Sequence, residues 1–112
     1  MKVTIKEQEL DLHYSMRIYI IYESMTDKSI SPEDFNKMTN VITLLYATII
    51  ATLQYNRLTA SLDWNDYIDW LDEQGDKLLV DFTDWFVKEV ESQKSAEPIK
   101  EPKKGAGKTK KK

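Results

Sequence analysis

Val41-Ile42-Thr43-Leu44-Leu45-Tyr46-Ala47-Thr48-Ile49-Ile50-Ala51-Thr52-Leu53 is the most apolar stretch of this chain. It carries three threonines and is 13 residues long, short of the roughly 20 that cross a bilayer. A run of this length and character reads as the buried helix of a small domain. Just upstream, Ser31-Pro32-Glu33-Asp34 is a helix start. Serine caps, proline takes the first helical position, and the two acids suit the positive end of the helix dipole. The spacing predicts a helix from Pro32 through Leu53 with a break near Thr39-Asn40. Asn40 serves equally well as the cap of a separate helix.

Before this region, Met16 to Thr26 carries Met16, Ile18, Tyr19, Ile20, Ile21, Tyr22 and Met25. At about 100° per residue these go almost all round a helix, which is then deeply buried or covered on one face by a partner. Ile18 to Tyr22 also suits a strand, being β-branched and aromatic. Ser15 is the cap of the helical reading, and Asp27-Lys28-Ser29 is a turn. At the start of the chain, Val3 and Ile5 alternate with Lys2, Thr4 and Lys6, and Leu10, Leu12 and Tyr14 alternate with Asp11 and His13. Period two predicts a β-hairpin turning at Glu7-Gln8-Glu9, although no Asn-Gly or Asp-Gly marks the turn.

After the apolar run, Gln54 to Ala60 reads as a loop. Asp63 caps a short helix with Trp64, Tyr67, Ile68 and Leu71 on one face. Gly75 stops it and Asp76 opens a last helix, lined by Leu78, Leu79, Phe82, Trp85, Phe86 and Val90. The expected fold is mainly α, an N-terminal β-hairpin followed by about four helices over residues 1–95. Residues 96–112 are Lys, Gly, Pro and Glu with a single isoleucine, Ile99. Such a segment buries too little apolar surface to offset its ordering entropy and is expected to be a disordered tail.

Charge divides the chain at the same place. Residues 1–95 hold 9 Lys/Arg against 17 Asp/Glu, a net of −8, whereas residues 96–112 hold 7 Lys against 2 Glu, a net of +5. With 112 residues the chain has room for one domain, and about 95 residues bury a modest core. There is no cysteine, so disulfides, thiol nucleophiles and cysteine-ligated zinc are all excluded. The first residues lack the apolar core of a signal peptide. The expectation is a soluble, non-exported protein that spans no membrane.

No motif points to catalysis. Gly105-Ala106-Gly107-Lys108-Thr109 copies the end of a phosphate-binding loop, but Pro102 stands where the pattern needs its first glycine, and no strand precedes it. Asp63, Asp66, Asp69, Asp72, Glu73 and Asp76 recur every third residue instead of at the alternate positions of a calcium loop, and so read as a solvated face. His13 is the only histidine, which leaves neither a transition-metal site nor a triad. It reads as a residue on the outer face of a strand. No cofactor is expected. The lysine tail suits phosphate contacts without sequence preference, yet no arginine or aromatic is interleaved for base stacking. A solubilising or partner-steering tail fits it as well.

The aromatics say more. Trp64, Tyr67, Phe82, Trp85 and Phe86 fall on expected inner faces. Trp70 lies about 120° from Trp64 around the same helix, among acids. Val80 and Val87 stand opposite the Phe82 face, one above the other. Either another element covers these side chains or they form a partner surface. The contact residues to test are Ile18, Tyr22, Trp70, Val80 and Val87.

An opening hairpin of the type Val3-Thr4-Ile5…Leu10-Asp11-Leu12 leads to Ser15-Met16-Arg17-Ile18 through Tyr22-Glu23 and the turn Thr26-Asp27-Lys28-Ser29. The apolar helix, the run Leu62-Asp63-Trp64-Asn65-Asp66-Tyr67-Ile68-Asp69-Trp70-Leu71, a last helix and a charged tail follow. This order resembles the small tail assembly chaperones of long-tailed bacteriophages over about residues 1–95. The glycines usual in that family's hairpin turn and first helix end are absent here. The resemblance implies a non-enzymatic protein that coats the apolar, helical tape measure protein until tail tube subunits polymerise around it. It also implies self-association into a homo-oligomer, and action in the host cytoplasm with no place in the mature virion. Such families often append a longer product by ribosomal frameshifting, and Lys110-Lys111-Lys112 is compatible with a slippery adenine run. The alternative is a small nucleic-acid-associated or regulatory protein working through its basic tail.

Overall fold

A computed structural model of the chain describes residues 1–58 and 61–95. The order is β1 (Lys2–Ile5), β2 (Gln8–Asp11), α1 (Met16–Thr26), a 3-10 turn (Pro32–Asn36), α2 (Met38–Tyr55), α3 (Trp64–Gln74) and α4 (Asp76–Ser95). The fold is therefore mainly α, with an N-terminal hairpin and four helices. The expected tail, with its phosphate-loop echo and its lysine run, lies outside the described residues.

β1 and β2 pair antiparallel with Val3 opposite Leu10 and Ile5 opposite Gln8. Val3, Ile5, Leu10 and Leu12 are buried, as alternation requires. The turn differs from the expected one. It is the two residues Lys6-Glu7, both at positive φ (52° and 63°), the backbone of a tight hairpin turn that usually recruits Asn-Gly. The second strand is also shorter than expected and ends at Asp11. His13 is half-buried and stacks its ring on Tyr55 with centroids 3.7 Å apart, while its backbone N–H donates to Thr52 Oγ1 at 3.0 Å.

α2 is the centre of the fold. It packs against α1, the 3-10 turn, β2 and α4, and ten of its eighteen residues are buried. It begins at Met38, so the break falls at Lys37, earlier than Thr39-Asn40, and Asn40 is not its cap. The helix also runs on to Tyr55, past the expected loop start. At 18 residues and a mean hydropathy of 1.2 it is long and apolar enough to cross a bilayer by length and composition alone, yet 56% of it is buried inside the fold. Its threonines explain how polar atoms sit in this core. Thr48 and Thr52 are fully buried, and their hydroxyls donate at 2.8 Å to the carbonyls of Leu44 and Thr48, one turn back. That return bond removes the cost of an unpaired buried hydroxyl.

α1 is a helix, not a strand. Ser15 precedes it as expected, but its hydroxyl makes no cap bond. Asp27 ends the helix in the left-handed conformation and donates its N–H to Glu23 at 2.8 Å. At α3, Asp63 caps in full, accepting from the N–H groups of Asn65 and Asp66. Tyr67 and Leu71 face inward, and the Tyr67 hydroxyl donates to the carbonyl of Ile42 at 2.7 Å. Trp64 departs from its expected inner place. It lies at the rim, 39% exposed, with its ring edge-on to Tyr46. Gly75 separates α3 from α4 at φ 79°, ψ 179°, a conformation almost reserved for glycine. α4 then buries Leu79, Phe82 and Phe86.

Candidate partner-binding surface

The five residues singled out from sequence fall in three separate places. Ile18 and Tyr22 are corrected by the structure: both are 0% exposed, because the face of α1 that carries them packs on α2. They are core residues and offer no surface in this fold. Tyr22 pays a polar cost for its position, since its hydroxyl, like that of Ser15, is buried with no hydrogen-bond partner among the described residues. Burial raises its phenol pKa, with the Asp34 charge adding to the effect.

Trp70 is half-buried under the hairpin. Its indole N–H donates to the carbonyl of Thr4 at 2.7 Å and its ring stacks on Tyr67. Trp70 thus joins α3 to β1. The acids expected around it are solvated: Asp66 pairs directly with Lys6 at 3.2 Å, both side chains more than half exposed. Among the described residues, no group of three or more His, Asp or Glu is placed to hold a metal ion.

Val80 and Val87 are on the surface, 58% and 38% exposed. They are two helical turns apart on one stripe of α4, about 10.5 Å along its axis. That stripe faces the 3-10 turn, and the two together form a groove. Phe35 stands in the middle of it. On one side is a hollow of about 300 Å³ between Pro32, Phe35, Val87 and Val90. On the other is a hollow of about 410 Å³ between Phe35, Met38, Val41 and Val80.

Phe35 is held there by its neighbour. Asp34 is covered, and its carboxylate accepts from the Ser31 N–H at 2.8 Å, from Lys28 Nζ at 3.3 Å and from Asn40 Nδ2 at 3.3 Å. The Ser31 hydrogen bond, the largest effect, together with Lys28 keeps its pKa below the usual carboxylate value, against the opposing effect of burial. The Ser31-Pro32-Glu33-Asp34 signature thus makes a short 3-10 turn whose acid ties three segments together and aims the next side chain into the groove.

Sequence reasoning missed Phe35 and Met38 on the groove, and also Met16 and Ile20, which are 72% and 67% exposed on the outer face of α1. The α1 pair was detectable. Around the helical wheel Met16 and Ile20 lie within the arc set by Arg17, Glu23 and Ser24, the opposite side from Ile18 and Tyr22. Comparison of the chain with protein-family models, with curated proteins and with solved structures found no match.

Proposed function

We propose that this chain is a non-enzymatic tail assembly chaperone of the kind long-tailed bacteriophages use, binding and solubilising a tape measure protein in the host cytoplasm. The observation that carries the reading is the apolar groove of Val80, Val87, Phe35 and Met38 on a domain with a net charge of −8 over residues 1–95. A protein that shields an aggregation-prone client needs an apolar contact surface and a charged exterior that keeps the complex dispersed. The order of hairpin, helix, apolar helix and two acidic helices is also the order on which the family resemblance rests.

The test is co-expression with the tape measure protein of the same phage. The client is expected to be soluble and to co-purify with this chain, and to be insoluble alone. A client that stays insoluble, or is equally soluble without this chain, refutes the reading. Val80→Asp and Val87→Asp together are expected to lower the captured client at least tenfold with the helical circular dichroism unchanged, since covering the exposed part of each valine contributes roughly 0.5–1.5 kcal/mol and an aspartate put in its place would have to be desolvated.

A further inference from the structure

We propose that the groove between α4 and the 3-10 turn binds one α-helix that presents two large apolar side chains seven residues apart and basic residues beside them. The proposal rests on the chaperone reading for its biological client, but its physical content comes from the groove. Two hollows flank one fixed aromatic ring. One exposed valine lines each, Val87 and Val80, so the hollows repeat at about 10.5 Å, the rise of two helical turns. A helix laid along α4 presents residues i and i+7 on one side at that same distance. One side chain then enters on each side of Phe35, as anchors do in helix-in-groove recognition.

Charge selects among the occupants. The side chains lining the two hollows include Asp84 and Glu91 and no basic residue. These acids are themselves seven residues apart and stand on the same rim as the valines. A second copy of α4 would set its own Asp84 and Glu91 against them, where like charges oppose pairing. The chain's own residues 96–112 supply the right charge but one large apolar residue, Ile99, and so fill one hollow at most. A separate cationic amphipathic helix satisfies both the spacing and the charge.

The experiment uses the full chain, isotopically labelled, titrated with synthetic helical peptides and followed by amide chemical shifts. The first peptide carries two leucines seven residues apart with flanking lysines. The second moves one leucine to a spacing of five. The third keeps the leucines and replaces the lysines with glutamate. The first is expected to bind and to shift Phe35, Met38, Val80 and Val87. The second and third are expected to bind at least tenfold more weakly. Val87→Thr, close in shape to valine and safe for the fold, is expected to weaken the first peptide severalfold.

Equal binding of the three peptides overturns the proposal. So do shifts confined to Met16 and Ile20, and so does a tenfold gain in affinity on deleting residues 96–112, which would make the tail the occupant. Failure here with client capture intact removes the groove and leaves the chaperone reading. Peptide binding without client capture does the reverse.

Discussion

Asp34 shows how much one side chain can set. Its carboxylate gathers an N–H from Ser31, the Lys28 ammonium and the Asn40 amide, and so fixes the turn that carries Phe35. Its pKa is lowered in the folded chain, chiefly by the Ser31 hydrogen bond and then by Lys28. A depressed carboxylate contributes stability that is present above its unfolded pKa and is lost as pH falls through the folded one. Asp34→Asn is therefore expected to cost about 1.5–3 kcal/mol at pH 7, the range for hydrogen bonds to a charged group. The gap from wild type should shrink once pH drops below about 4. Urea unfolding of both proteins at pH 7 and pH 3 checks this, and an equal gap at the two pH values contradicts it. The signature around Asp34 was legible as a helix start because capping is local chemistry. That it would become a separate 3-10 turn was not, because the break lies at Lys37, whose extended backbone (φ −120°, ψ 124°) no glycine or proline marks.

At the scale of elements, the joint between α3 and α4 is a single glycine. Gly75 has φ 79° and ψ 179°, and a Cβ built there meets nothing within 4 Å. Space is not the constraint, so the cost of a side chain is all backbone strain. Gly75→Ala is expected to lose about 1–3 kcal/mol of stability, read from the urea midpoint. A neutral outcome would mean that the two helices are free to reorient. Asp63 and Gly75 were both readable from sequence, as cap and stop, since each acts on its own helix end. The faces of α1 were only faintly marked, by the polar arc of Arg17, Glu23 and Ser24. An almost wholly apolar helix does not announce which side turns inward, and Ile18 and Tyr22 went in because α2 lies on that side. Trp70 was unreadable for a related reason: its partner is the Thr4 carbonyl, 66 residues away.

At the scale of the whole molecule, charge over the folded residues 1–95 opposes folding. Residues 1–95 carry a net −8. Among the described residues the ion pairs are four, and only Asp34 in them is a covered carboxylate. Exposed pairs of this kind contribute about 0–1 kcal/mol each, so general repulsion between acids is expected to outweigh them. Added sodium chloride screens both, and the larger effect wins. The melting temperature of the full chain at pH 7 is expected to rise between 20 and 500 mM salt by roughly 4–8 °C, equivalent to about 1 kcal/mol for a domain of this size. A fall would show that the pairs dominate.

The burial of α2 has a kinetic side. Until α1 and α4 close over it, the growing chain displays an 18-residue apolar segment that neighbouring chains can capture. Its cover comes from both directions, from α1 before it and from α4 after it, and the second half of that cover is made last. A ribosome has therefore to deliver nearly the whole domain before the most aggregation-prone part of it is hidden. Variants that slow the docking of α4 are then expected to reduce soluble yield more than their equilibrium stability implies.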